Sequence, residues 1–543
     1  VRGYRACEIE LKGPLPIKEG ANATVHQEYV EGPRRTVGAI FGPHPTGVLM
    51  PKPDQQHVPT QLLGVCKRVA TKPPSPDREM LLRLKTFVGK FIREHLKPIA
   101  RDADTSVPKW LGNTNYPKWR RDELIAAAEL EKDNKTYLVK AFIKDECYPD
   151  YKYPRGIYSR SDKYKTLVGP YYKLIEEEVY KLPWFIKHIP VADRAKYINE
   201  HVYVPGAVYA QTDYTSFESL FTRIIMKYTE MQLYEYMVQD LDDGKAFIEE
   251  AYVMLDINKI AFKNFDLEVE ATRMSGEMCT SLGNGFSNLM FFLFMCHERG
   301  YKTFGVVEGD DGLFRLMKNQ TITSEDFEKL GLKIKLVMFD NVEEASFCGI
   351  VYDQTDMVGV SDPFEALCSL CFLPERYARS SVKTKSALLR SRALSYAHQY
   401  PGAPVISEYV HMILRQTEHI TNRDVIKVAS RAMNTWEYEN FLRDLKTRLI
   451  KIQPPMRTRL LVERLFNMPV SVQFKLELYF KNKNDLEPFD GRIIDGLVPD
   501  AWLHFYDNYV GDNPTLIKYS EEQELALKTL LTENVRIKKK RKN

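Results

Sequence analysis

Long apolar runs are missing from this chain. The longest, Leu289 to Cys296, is far short of the roughly 20 apolar residues a bilayer span requires, so no transmembrane segment of its own is expected. No signal-peptide pattern is evident either. Excess charge of one sign is also absent. With 77 Lys and Arg against 73 Asp and Glu, net +4, any surface for a polyanion must come from local sorting of charges. Cysteine is sparse, eight scattered over 543 residues, which excludes a disulfide-built scaffold and suits a reducing compartment. Cys368 and Cys371 have ligand-like spacing, but without a second pair or a nearby His they read as two small apolar side chains on one helical face. Val1 stands first instead of Met, as expected where processing or truncation sets the start. What remains is ordinary globular composition, 44% hydrophobic and 28% charged, enough for about three to four compact regions.

Residues 1–80 are rich in Pro, Gly and His, as in Gly42-Pro43-His44-Pro45 and Lys72-Pro73-Pro74-Ser75-Pro76. Such a segment is expected to wrap over other parts instead of building a core. His26, His44 and His57 are too widely spaced to suggest a metal. From 77 to 99 the residues Met80, Leu81, Leu84, Phe87, Val88, Phe91 and Ile92 recur at threes and fours, which predicts an amphipathic helix. Alternation through Tyr137, Val139, Ala141 and Ile143 predicts a strand, followed by a second extended piece ending near Arg160. Lys144, Arg155 and Arg160 along these pieces suit phosphate oxygens, the arginines as forks and the lysine as a point charge.

The stretch Gly305 to Arg315 reads as two short strands joined by a turn, with Gly309 and Gly312 easing the backbone and Asp310 and Asp311 at the tip. Adjacent carboxylates repel each other, and a hard divalent cation such as Mg²⁺ or Mn²⁺ removes that repulsion. Another strand, Ala207 to Thr212, delivers Asp213 at its carboxyl end. Glu218 follows where a helix running toward Tyr236 is expected to begin. Brought together, Asp213, Asp310 and Asp311 would make a three-carboxylate cage for two metal ions. Between them Ser275-Gly276 forms a flexible turn before a helix that stops at Gly300. Thr280 and Asn284 share one face of that helix, whose other residues are so apolar that it must be buried. Buried polar groups need partners, and a ribose hydroxyl is one.

The ordered set of the basic Lys144/Arg155/Arg160 segment, Asp213 with Glu218, Ser275-Gly276 with Thr280 and Asn284, Gly309-Asp310-Asp311, Leu332-Lys333-Ile334-Lys335 and Phe347-Cys348-Gly349 resembles the RNA-dependent RNA polymerases of positive-strand RNA viruses. Within them the tombusvirus-like lineage is the most similar. The resemblance covers roughly residues 140–349. One departure is Glu218, where these enzymes usually carry Asp, so a longer side chain must retract to make the same contact.

The resemblance implies an α+β closed right hand. Its parts would be an N-terminal wrapping segment (1–80), fingers (81–205, with an insertion at 240–272), a palm of antiparallel sheet backed by helices (206–375), and a helical thumb (376–543) with a basic C-terminal tail. It implies RNA-templated RNA synthesis that replicates a viral genome; de novo initiation is the expectation, with primed initiation the open alternative. Asp213 and Asp310 would bridge two Mg²⁺ or Mn²⁺ ions, with Asp311 and the Thr212 carbonyl as further ligands. Lys144, Arg155 and Arg160 would hold the triphosphate. Glu218, Ser275, Gly276, Thr280 and Asn284 would surround the nucleotide sugar, and Lys335 or Lys333 would protonate pyrophosphate. Implied partners are the RNA template and product duplex, ribonucleoside triphosphates, and other viral replication proteins. Through those proteins the chain would reach intracellular membranes in the host cytoplasm.

Arg443, Lys446, Arg448, Arg457 and Arg459 are candidates to face the duplex, and the Arg536 to Lys542 tail to touch RNA or an acidic membrane. Phe489, Trp502, His504, Phe505 and Tyr506 are candidates for an initiation platform. Two rivals stand against this reading. A reverse transcriptase-like polymerase would block the 2′ position, whereas an acid plus Asn284 accepts a hydroxyl there. A catalytically weak RNA-binding scaffold would have no need of intact carboxylates at 213, 310 and 311.

Overall fold

The computed structural model describes residues 14–26, 39–150, 152–433, 435–505 and 520–540. At its centre is an antiparallel sheet with strands in the order Ile334–Phe339, Ala207–Tyr214, Asp311–Met317 and Phe304–Glu308. Successive side chains of a strand point to opposite faces, so strands apolar on both sides must be covered on both. Ala210, Tyr214, Phe314 and Leu316 accordingly pack into a core with the helices Arg78–His95, Asp162–Val179, Glu230–Val238 and Thr280–Glu298. Tyr209, Val306 and Leu313 pack on the opposite side with Ala195, Ile198 and Phe347. The helix Thr280–Glu298 is buried almost throughout, and Phe292 stacks on Phe314 of the sheet with ring centroids 3.9 Å apart.

A second sheet carries the order Asn22–Val25, Phe265–Glu270, Ile257–Ala261, Val139–Ile143 and Gly156–Arg160. Its strands pair antiparallel except where Val139–Ile143 meets Ile257–Ala261 in parallel. Residues from the 240–272 region thus complete a sheet begun by residues 139–160. The helix Val58–Arg68 packs against this sheet, as do Ala526 and Leu530 of the last helix, Glu521–Lys540. That helix leaves the other C-terminal helices, of which Val382–Gln399, Ile406–Gln416, Met456–Phe466 and Val470–Asn482 enclose a separate core with Val48, Met50 and Trp502. Early residues pair with widely separated parts of the chain. Asn22–Val25 borders the second sheet, while Ala39–Ile40 pairs with Phe372–Leu373 and Pro45 bridges to Phe489.

Several elements differ from the sequence expectation for local reasons. The single helix expected from Glu218 toward Tyr236 is three short ones, Phe217–Leu220, Arg223–Tyr228 and Glu230–Val238. The Thr222 hydroxyl caps the second by accepting from the Ile225 N–H, and Thr229 leaves helical geometry with ψ at −96°. The long helix begins at Thr280 because the preceding turn tucks under the Gly156–Arg160 strand. There the Gly276 N–H donates to the Tyr158 carbonyl at 2.8 Å, and a Cβ on Gly276 would lie 2.6 Å from that oxygen. Among the described residues no helix is long and apolar enough to cross a membrane.

Candidate active site

The strand Ala207–Tyr214 is paired on both edges up to Thr212, which faces Gly312 on one side and Leu336 on the other. Asp213 lies one residue past the last pair with the Asp311–Met317 strand, and its side is exposed. The turn carrying Asp310 and Asp311 joins that neighbouring strand to Phe304–Glu308. Gly309 takes the left-handed region there with φ at 60°, which a residue lacking Cβ adopts without strain. From behind, the buried Asn288 amide donates to the carbonyls of Gly309 at 3.3 Å and Asp311 at 3.0 Å.

Electrostatics at the turn favour a cation. Burial, Asp310, Asp213 and Glu308 together push the Asp311 carboxyl up to about 7, against a hydrogen bond from Cys348. Asp310 is raised by burial and by Asp213, while Arg155 and Arg68 pull it down. Arg194 relieves the crowding by pairing with Glu308 at 2.6 Å. Mutually repelling carboxylates of this kind fit the oxygen-ligand chemistry of Mg²⁺ or Mn²⁺. Among the described residues no three His, Cys, Asp or Glu side chains are already gathered as an ion cluster. The fit therefore rests on that repulsion and on the donor chemistry.

The basic residues divide. Glu146 holds both Arg155, at 2.5 and 2.7 Å, and Lys144, at 2.8 Å. Burial raises the Glu146 carboxyl, but the two cations outweigh it and leave it at about 2. Arg160 is a correction to the expected triphosphate grip. It is buried, and its guanidinium is occupied by Glu277 at 2.5 Å, the Tyr137 carbonyl at 2.9 Å and the Asn258 side chain. Two cations that sequence reasoning missed lie near the carboxylates. Arg68, at the end of the helix Val58–Arg68, acts on Asp310 and Glu218, and Lys152 lies within reach of Asp213. Arg68 is far from every motif along the chain, so nothing local marked it. Lys152 stood in the basic stretch itself.

Lys335 lies directly opposite Asp213 in the ladder, where facing Cβ atoms are about 4.5–5.5 Å apart. Lys333 shares that exposed face but sits near Lys67 instead. Register thus favours Lys335. Burial raises the half-buried Glu218 carboxyl, with Arg68 lowering it and Asp310 raising it further. Asn284 accepts from Arg273 Nε at 2.9 Å. Thr280 donates to the Met274 carbonyl and Ser275 to the Gly156 carbonyl, each at 2.9 Å, which leaves both oxygens able to accept. Thr212 has a strand on each edge, and its hydroxyl donates to the Gly312 carbonyl at 3.3 Å, which leaves that oxygen able to accept as well.

The candidate platform loses two members. Phe489 and Trp502 are buried, and the Trp502 indole donates to the Pro149 carbonyl at 2.8 Å. Tyr506 lies outside the described residues, as do the side chains of His504, Phe505 and the Arg536 to Lys542 tail. Arg459 is buried against Glu477, whereas Arg443, Lys446, Arg448 and Arg457 are exposed. Cys368 and Cys371 are both buried, Cys371 within 3.2 Å of the Tyr409 hydroxyl, but the helix Pro363–Ser369 ends before Cys371, so they do not share one helical face as expected.

Residues 165–411 match the family model of viral RNA-dependent RNA polymerase. The matched stretch contains Asp213, Glu218, Ser275, Gly276, Thr280, Asn284, Asp310, Asp311 and Lys335, and starts beyond Arg160. The chain is also similar to the RNA-directed RNA polymerase of Atlantic halibut nervous necrosis virus, 24% identical over 248 residues, covering 44% of this chain and 25% of that relative. A second similar protein is the RNA-directed RNA polymerase of striped jack nervous necrosis virus, 24% identical over 214 residues, with 38% and 21% covered. The matched stretch thus spans about a quarter of the length of these relatives. The class shared by the family and these relatives is RNA-directed RNA polymerase, a nucleotidyltransferase.

Proposed function

We propose that this chain copies an RNA template into complementary RNA by two-metal nucleotidyl transfer, replicating a viral RNA genome. The observation that carries the reading is the placement of Asp213, at the end of one strand, beside the neighbouring turn of Asp310 and Asp311, within electrostatic reach of Arg68, Lys152 and Arg155. Asp213, Asp310 and Asp311 would hold two Mg²⁺ or Mn²⁺ ions, which supply charge neutralisation for attack by the 3′-hydroxyl and departure of pyrophosphate.

Lys144 and Arg155 exchange Glu146 for triphosphate oxygens, aided by Arg68 and Lys152. Glu218 accepts a hydrogen bond from the ribose 2′-hydroxyl while Asn284 donates to its oxygen, with Ser275, Gly276 and Thr280 lining the sugar. As the 3′-hydroxyl gives up its proton to water and O3′ bonds to the α-phosphorus, the bond to the pyrophosphate oxygen breaks and Lys335 gives a proton to the leaving group. Base pairing selects the nucleotide, so the protein grips backbone and shape, and the exposed Arg443, Lys446, Arg448 and Arg457 are available to the product duplex.

In right-hand terms the second sheet belongs to the fingers, the central sheet to the palm and the helices after 376 to the thumb. Placement in the tombusvirus-like lineage draws on the motif spacing, whereas the relatives above are nervous necrosis virus polymerases. Work in the host cytoplasm at membrane-associated sites, reached through other viral replication proteins, completes the reading. Initiation is de novo, a point that Phe489 and Trp502 no longer support. The test is labelled-nucleotide incorporation by purified protein on a short RNA without primer, with Mg²⁺ or Mn²⁺. Template-length product is expected. Product only with a primer would remove the de novo part, and none under either condition would remove the polymerase.

A further inference from the structure

Arg273 and Glu230 form an ion pair with no solvent exposure at either side chain. Removing two charges from water is costly unless hydrogen bonds and geometry compensate, so such a pair asks for an explanation beyond stability. Glu230 also accepts from the Tyr234 hydroxyl at 2.8 Å, and the Arg273 guanidinium lies 4.3 Å from the centre of the Phe221 ring. The pair is packed so tightly that a Cβ on Gly283 would lie 2.3 Å from a Glu230 carboxylate oxygen and 2.7 Å from Arg273 Nη2. Everything around Arg273 holds its fork in one orientation.

That fork ends on Asn284. Nε of Arg273 donates to Asn284 Oδ1 at 2.9 Å. An Arg N–H can only donate, so the amide oxygen must face it and the amide nitrogen must face away. The Asn284 nitrogen has no protein partner among the described residues and carries two unused donors. Meanwhile the Arg273 backbone N–H donates to the Glu218 carbonyl at 2.9 Å, and the Thr272 hydroxyl donates to the same oxygen at 2.8 Å. One residue therefore ties together the two positions that the proposed function assigns to the 2′-hydroxyl, which lie far apart along the chain.

We propose that Arg273, clamped by Glu230, is the positioning residue of sugar selection. It fixes the Asn284 amide so that its nitrogen donates to the ribose 2′-oxygen, and it anchors the Glu218 backbone so that the carboxylate accepts the hydroxyl hydrogen. This rests on the polymerase reading, and its failure is separable from the failure of that reading.

The experiment compares kcat/KM for ATP and dATP incorporation in the wild type, Arg273→Lys, the Arg273→Met/Glu230→Met pair, Asn284→Ala and Arg273→Lys/Asn284→Ala, with thermal melting of each. The apolar pair removes both buried charges together and so preserves packing. The ratio of ribo- to deoxynucleotide use is expected to fall about tenfold or more in Arg273→Lys and in the Met/Met pair, mainly through a higher KM for ATP, a change worth about 1.4 kcal/mol of discrimination per tenfold. Arg273→Lys is expected to add no further loss in an Asn284→Ala background, because residues acting as a unit are not additive. A purely structural role would lower both substrates alike. A folded Met/Met variant with an unchanged ratio, or additive loss with Asn284→Ala, overturns the inference while leaving the polymerase standing. Absence of ATP incorporation in the wild type overturns the polymerase reading itself.

Discussion

Lys335 and Asn288 show how single side chains serve the site. Lys335 faces Asp213 across one rung of the ladder, so Lys335→Met is expected to lower kcat by about 10²–10⁴-fold, the range for a general acid. Lys333→Met, near Lys67 instead, should leave kcat nearly unchanged, and steady-state kinetics of the two variants decides between them. Asn288→Leu leaves the Gly309 and Asp311 carbonyls without their shared donor, which should cost about 1–3 kcal/mol in a denaturation midpoint and lower kcat as the turn loosens. Asn288 was within reach of the sequence, since it follows Thr280 and Asn284 at the same four-residue step. The strand and the turn that place Asp213 beside Asp310 and Asp311 were legible, because apolar runs end at each of them and Gly309 marks the turn. Arg68 was not, because its role depends on tertiary approach alone.

At the scale of elements, strands announced themselves better than helices. Alternation in Val139–Ile143 and Ala207–Tyr214 follows directly from burial of one or both faces, and both strands form. The 217–238 stretch failed as a single helix because apolar spacing continues across caps and kinks that only backbone geometry reveals, at Thr222 and Thr229. The link between Val139–Ile143 and Gly156–Arg160 carries its own test. Glu146, pulled down to about 2 from an ordinary 4.5, contributes stability that is complete above pH 4.5 and is lost as pH falls through 2. Glu146→Gln should therefore flatten the pH dependence of the melting temperature between about pH 4.5 and 2, read by calorimetry, while changing its slope little above that window.

Across the described residues, the early strand Asn22–Val25 and the last helix both close on the second sheet. The final helix sends Ala526 and Leu530 into the core shared by Val58–Arg68 and the second sheet, a contact that no periodicity could assign to one partner over another. Leu530 is fully buried, so Leu530→Ala should cost about 2–5 kcal/mol and expose the Asn22–Val25 edge to limited proteolysis. That same core positions Arg68, which connects the C-terminal helix to the carboxylates through packing. Loss of the helix should therefore weaken nucleotide use as well as stability.

The account depends most on Asp310. Purified wild type and Asp310→Ala would be compared for labelled-nucleotide incorporation on a short unprimed RNA with Mn²⁺, alongside RNA binding by filter retention. Template-length product from the wild type alone, with RNA binding retained in both, is the expected result. Equal product from Asp310→Ala would contradict the assignment of the Asp310 turn as the centre of catalysis.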